Sequence, residues 1–195
     1  MLPALRPTVH LGPLVRAAPA ALAGAVPIGV AVALATLVAS GCLASRPPLG
    51  PASATPVFDP AEFFVGRSTG TGELSIRARG TEPVRVESVG TELADGRVRL
   101  VQTIRRGDGE PTERTWVLER QAPGRWTGTL TEARGPVEAT VDGNELRIRY
   151  RTGPVTTVRQ RLRLQPGGRV ALNHLSVRVL GVPVARLAER IEKAE

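Results

Sequence analysis

Apolar and polar residues alternate with a period of two through most of the chain. Leu146, Ile148 and Tyr150 share one parity while Arg147, Arg149 and Arg151 share the other. Val158, Gln160, Leu162 and Leu164 oppose Arg159, Arg161 and Arg163 in the same way, and Val98, Leu100, Gln102 and Ile104 oppose Arg97, Arg99 and Arg105. Successive side chains of a strand point to opposite faces, so each run has one apolar and one wet face. Turn signals punctuate the runs at Asp95-Gly96, Gly107-Asp108-Gly109, Pro123-Gly124, Arg134-Gly135-Pro136, Asp142-Gly143-Asn144, Gly153-Pro154 and Pro166-Gly167-Gly168. The pattern predicts about ten strands, near residues 73–79, 83–90, 97–106, 113–121, 125–132, 136–141, 145–151, 155–165, 169–180 and 183–192. Ten strands with no convincing helix must cover their own apolar face. The expected class is all-β, an antiparallel up-and-down meander forming a barrel or a strongly curled sheet, with a two-sheet sandwich as the alternative.

Two stretches resist the alternation. Between Val170 and Val179, Val170 and Leu172 fall on one parity and Leu175, Val177 and Val179 on the other. A bulge near Asn173-His174 or burial on both faces would account for this. In the tail, Val184, Leu187, Ala188 and Ile191 have helical spacing, although a closing strand is the preferred reading.

The first residues follow another logic. Met1 to Arg16 carries Arg6, His10 and Arg16 and no acid, and Ala17 to Val38 is uncharged and rich in Ala, Val and Leu. A basic region, an apolar region and small residues before a cleavage point make an export signal. Ala39-Ser40-Gly41-Cys42 fits a lipobox, with Leu more usual at the place of Ala39. An uncleaved anchor is disfavoured because Pro19, Gly24, Pro27 and Gly29 interrupt the run. The expected organisation is a lipoprotein signal peptide over 1–41, an acylated Cys42 with a Pro/Ala-rich tether over 42–57, and a β domain over 58–195. Cys42 is the only cysteine, so the domain has no internal disulfide. Two acyl chains on it would give stable membrane anchoring. Leu43 is not the Asp of an inner-membrane retention signal, which directs the expectation to an outer-membrane lipoprotein facing the periplasm.

Charge narrows the partners. The chain carries 26 Lys plus Arg against 18 Asp plus Glu, and Lys193 is the single lysine. Such a surface suits nucleic acid or anionic lipid, and export removes nucleic acid as a partner.

The order Phe58-Asp59-Pro60, Phe63-Phe64, Gly66, Gly70 and Gly72 resembles an uncharacterised family of bacterial lipoproteins, DUF3833. The likeness continues through Arg114-x-Trp116, Gly124-x-Trp126-x-Gly128, Tyr150, and Asn173 before Gly181. Around residues 155 to 168 the chain has Arg and Leu where the family has an aromatic-rich, acidic segment. The resemblance implies an exported, lipid-anchored protein of lipocalin-like β architecture with no assigned activity, and hints at lipid.

Candidate chemistry is sparse. Gly66-Arg67-Ser68-Thr69-Gly70 has the spacing of a hydrolase nucleophile elbow, but a strand rather than a helix should follow it, which makes it a glycine-rich entry loop. His174 is the only histidine of the domain, too few for a metal site and better explained as a hydrogen-bonded structural residue than as a ligand contact. Arg114 shares the apolar parity with Trp116 and Leu118, where it could hold a fatty carboxylate or phosphate, or reach out to water. Trp116, Trp126 and Tyr150 are further pocket candidates, with core as the plainer reading. Inward Gln102 and Gln160 need partners or water. The expectation is a monomeric lipid-anchored protein, not an enzyme, without cofactor or metal, binding an apolar or fatty-acyl small molecule in its barrel. The alternative is a structural or interaction lipoprotein whose Arg-rich face meets anionic lipid or a protein partner.

Overall fold

The computed structural model describes residues 47–194. The signal read over 1–41 and the acylation site Cys42 lie outside the described residues. Ten antiparallel strands run β1 (Gly66–Ile76), β2 (Gly80–Glu92), β3 (Val98–Arg106), β4 (Thr112–Ala122), β5 (Arg125–Leu130), β6 (Val137–Asp142), β7 (Glu145–Arg151), β8 (Thr156–Leu164), β9 (Val170–Val179) and β10 (Val182–Lys193). Each pairs with its chain neighbours, and β1 also pairs with β10, so the meander closes into a barrel without free edges. The barrel, not the curled sheet or the sandwich, is the architecture, and it is lipocalin-like.

Three expectations need correction. Residues 66–72 are not an entry loop but the first half of β1, hydrogen-bonded to both β2 and β10. A short helix, α1 (Pro60–Phe64), precedes it; Asp59 caps it by accepting the Ala61 N–H at 2.9 Å, and Pro60 starts it. The register of β9 runs unbroken through Asn173-His174, so there is no bulge there. Ala171, Asn173 and Leu175 are buried inward, whereas outward Leu172 lies in a groove with Pro47 and Pro48. Burial on both faces is therefore what blurs the alternation. The tail is a strand, β10, with its register shift between Pro183 and Ala185.

The two ends of the barrel differ. At one, α1 and its flanks form a plug in which Phe58, Phe63 and Phe64 pack with ring centroids 5.1–6.0 Å apart. The plug is tied down by an Arg120–Asp59 ion pair at 2.7 Å and by the Phe58 N–H donating to the Gly143 carbonyl at 2.8 Å. The other end, with the turns that follow β1, β3, β5, β7 and β9, is open. Of the stretch read as a tether, residues 47–57 lie along the outer wall as a strap. The Ser53 N–H donates to Asn144 Oδ1, the Asn144 N–H to the Ser53 carbonyl, and Asn144 Nδ2 to the Leu164 carbonyl at 3.0 Å.

Beneath the strap sits Glu145, 1% exposed, on the outer face of β7. It accepts from Arg147 at 2.6 Å, from Arg161 at 2.8 Å and from Arg163, which also donates to the Gly50 carbonyl. Burial works against its charge, but hydrogen bonds from the three guanidiniums prevail and hold its pKa at about 2.

Candidate functional site

Inward residues of the strands leave most space toward the open end. A cavity of about 330 Å³ begins there, walled largely by aliphatic side chains such as Leu74, Val84, Val86, Ile104, Val158 and Leu187. Polar groups gather where it narrows. Arg114 on β4 faces the lumen between Gln102 on β3 and Glu132 just after β5, donating to Gln102 Oε1 at 2.9 Å and to Glu132 at 3.3 Å. The same Gln102 oxygen accepts the Trp116 indole N–H at 2.8 Å, and Gln102 Nε2 donates to Ser88 at 3.1 Å. The inward amide that looked costly in the sequence thus serves as a junction, its oxygen accepting two hydrogen bonds and its nitrogen donating one. The Arg114 guanidinium lies 5.3 Å from the Trp116 ring centre, and Trp116 meets Tyr150 edge to face at 5.5 Å. Burial pushes the Tyr150 hydroxyl up to about 12 despite the opposing charge of Arg114, so it stays a neutral wall group.

Arg114, Trp116, Tyr150 and Gln102 are therefore brought together, and Gln160, 5% exposed, faces the lumen just below them. Trp126 and His174 are not part of this group. Trp126 is inward and buried but sits toward the plugged end, under the Arg120 guanidinium at 4.4 Å from its ring centre. His174 projects outward, where Nε2 is 2.7 Å from the Pro47 carbonyl and helps hold the strap. Ser68 lies in an extended strand rather than at a strand-to-helix turn. Among the described residues no group of three or more His, Cys, Asp or Glu is arranged to hold a metal ion.

Sequence reasoning missed Glu189 on β10 and the role of Asn173 on β9. Asn173 Nδ2 donates to Glu189 Oε2 at 2.8 Å, both residues being buried at the narrow part of the lumen. Burial raises the Glu189 pKa above the usual carboxylate range against the pull of Asn173 and Arg114. The available signal was parity: Leu187, Glu189 and Ile191 alternate inward once the tail is read as a strand.

Comparison with known proteins bears on the fold. The family described as "Protein of unknown function (DUF3833)" matches residues 36–193. No curated protein matches the chain. Among solved structures, the S-type phycobiliprotein lyase CPES from Guillardia theta is similar with a TM-score of 0.57 at 10% identity, over 69% of this chain and 90% of that one. A protein of unknown function from the DUF3598 family of Nostoc punctiforme aligns with a TM-score of 0.49 at 13% identity, over 74% of this chain and 53% of that one.

Proposed function

The chain belongs to the DUF3833 family, and from that premise we propose that it is a lipid-anchored protein of the bacterial envelope whose barrel binds an apolar, fatty-acyl-type small molecule. The observation that carries this reading is the cavity of about 330 Å³, open at one end and walled mainly by aliphatic side chains. Its size falls at the lower end of the roughly 300–1,000 Å³ typical of small-ligand sites. The likeness in fold to a phycobiliprotein lyase is compatible with a small-molecule site inside such a barrel. The role is binding rather than catalysis: Arg114, Trp116, Gln102 and Ser88 engage one another in a fixed network, which suits a shaped wall.

A fluorescent acyl-chain probe tests it. Wild type should bind the probe, and Val84→Trp, which fills the cavity mouth, should weaken binding about tenfold or more. Val89→Trp, on a half-exposed outer position, should leave it unchanged. Absence of binding to wild type, or equal effects of the two substitutions, would sink the reading.

Anchoring rests on Cys42 within Ala39-Ser40-Gly41-Cys42, inside the stretch that the family matches. Acylation there would anchor the protein, and Leu43 in place of the Asp of an inner-membrane retention signal supports the outer membrane, facing the periplasm. A second reading draws on the outer wall, where the β7–β8 register sets Arg147 opposite Arg161 and Arg149 opposite Arg159. Like charges placed opposite each other are unfavourable unless an anion lies between them. Glu145 serves the first pair; in the second, Glu138 stands opposite Arg149 and anionic headgroups would serve Arg159. Cys42→Ser should abolish acylation and leave the precursor unprocessed or the product soluble. Labelled fatty acid still entering Cys42→Ser would refute the anchor, and membrane retention of a processed Cys42→Ser product that is lost at high salt would favour the arginine face instead.

A further inference from the structure

Below the main cavity the lumen continues into a second chamber of about 30 Å³. A cavity needs about 10–15 Å³ on this measure to hold one water, so the chamber admits a group of a few heavy atoms. Arg114 and Glu189 line both spaces, so the chambers meet at this pair. The inner one is bounded by Leu100, Ile148 and Leu162 on its apolar sides and by Gln160 and Asn173 on its polar ones.

Its hydrogen-bonding capacity is not spent. Asn173 is 2% exposed, and while its Nδ2 serves Glu189, its Oδ1 is buried without a partner. A buried acceptor in that state is a place for a donor that the chain itself does not supply. Glu189 leans over Gly70, where a Cβ would come within 2.0 Å of Oε1, so the glycine makes room for the carboxyl inside the wall. Arg114 is paired with Glu132 and Glu189 stands beside it, so the junction carries two carboxyl groups against one guanidinium. The chamber offers an acceptor at Asn173, an amide at Gln160 that both donates and accepts, and a donor at Arg114. An anionic head would face both carboxyl groups, whereas an uncharged head that both donates and accepts would serve Asn173 and Gln160.

We propose that the inner chamber is a head-group subsite, in which a chain enters head-first and its terminal hydroxyl or protonated carboxyl donates to Asn173 Oδ1 and accepts from Arg114 or Gln160. The proposal rests on the acyl-binding reading of the main cavity and adds the orientation and chemical class of the ligand. Facing the head are Arg114 from β4 and Glu189 from β10, with Glu132, Arg106 and Glu113 nearer the mouth. No bond of the ligand changes, and a carboxylic acid keeps its own proton on binding.

The test uses matched twelve-carbon chains on the full-length protein: dodecanol, its methyl ether, dodecylammonium and dodecanoate. Dodecanol should bind at least tenfold more tightly than the ether or the ammonium. Dodecanoate binding should strengthen as pH falls from 8 to 5, while dodecanol binding stays flat over the lower part of that range. Asn173→Leu should reduce dodecanol to the affinity of the ether without weakening the ether, and Gln160→Met serves in its place if that variant does not fold. Equal affinity for alcohol and ether would overturn the subsite while leaving the acyl-binding barrel intact. Tightest binding of dodecanoate at pH 8 would replace it with an anionic head. Failure of all four chains to bind would remove the barrel reading and the subsite together.

Discussion

Replacing Glu145 by Gln is expected to destabilise the barrel by about 3 kcal/mol at neutral pH, because a charge-paired buried group is lost while its partners stay. Arg163 is the reason for the size of the effect. It is 8% exposed, and its guanidinium would be left against the strap with no anion. Arg147 and Arg161 are half-exposed and can turn to solvent, which keeps the expected cost at the low end of the roughly 3–5 kcal/mol range for a broken buried pair. For a domain of this size the loss corresponds to a fall of roughly 6–12 °C in Tm. The pH dependence has a definite sign. The carboxyl titrates at about 2 in the fold and near its ordinary value of 4.5 when unfolded, so its contribution is full above 4.5 and fades as pH falls toward 2. The stability curves of wild type and Glu145→Gln should therefore converge in acid. A second substitution, Arg163→Met in the Glu145→Gln background, should restore part of the loss by removing the stranded cation. If the variant loses less than about 1 kcal/mol, or the difference is the same at pH 3 and pH 7, the buried cluster is not what holds the strap.

This cluster shows where sequence reading stopped. Arg147, Arg161 and Arg163 were visible as wet-face residues, and the period of two marks them as outward. What the alternation could not reveal is that Leu49 to Ser53 folds back over them, because Pro and Ala in an aperiodic run read as an extended linker. The helix α1 escaped for a related reason: five residues carry too little periodicity to register. Gly66, Gly70 and Gly72 disguised half of β1 as a loop. Gly66 has a φ of 99°, which favours glycine, whereas Gly70 and Gly72 are glycines because of the neighbouring strand: at Gly72 a Cβ would stand 2.2 Å from the Ala188 carbonyl oxygen, and at Gly70 it would strike Glu189. The strands themselves were legible, since all ten show their alternation or their turns.

The candidate site divides along the same line. Parity alone brought Arg114, Trp116, Tyr150, Gln102 and Gln160 to the inner face. It also correctly turned Trp126 inward, but parity carries no information on depth along the barrel axis, and Trp126 lies near the plug instead of the cavity. In β9 the apolar residues on both parities hid the fact that Asn173 is inward and His174 outward. Glu189 was missed although a closing strand was the preferred reading of the tail, because Val184 and Ala188 fall on one parity and Leu187 and Ile191 on the other, which hides the inward face.

Gly90→Ala should have an effect as large as that of Glu145→Gln, through steric exclusion at the plug rather than charge. Gly90 is on β2, facing the lumen at the plugged end, where the backbone of α1 rests on it. A Cβ there would lie 1.8 Å from the Phe64 carbonyl oxygen and 2.7 Å from its carbon, and neither is the end of a flexible side chain. The strand is held on one side by β1 and on the other by β3, so α1 is the element that must retreat. Its retreat draws Phe63 and Phe64, and with them Phe58, out of the core cluster. Full exposure of one such ring costs about 1.5–3 kcal/mol, so partial exposure of three gives a loss of about 3 kcal/mol or more. The barrel would then admit water from both ends, and an environment-sensitive apolar dye should brighten on the variant below its unfolding transition. Gly153→Ala supplies the comparison: its Cβ would meet only Thr156, at 3.4 Å or beyond, and it should change stability by less than about 0.5 kcal/mol. Gly90→Ala with the Tm of wild type and no dye response would show that α1 can rest elsewhere without cost, and that the aromatic plug is not what closes this end of the barrel.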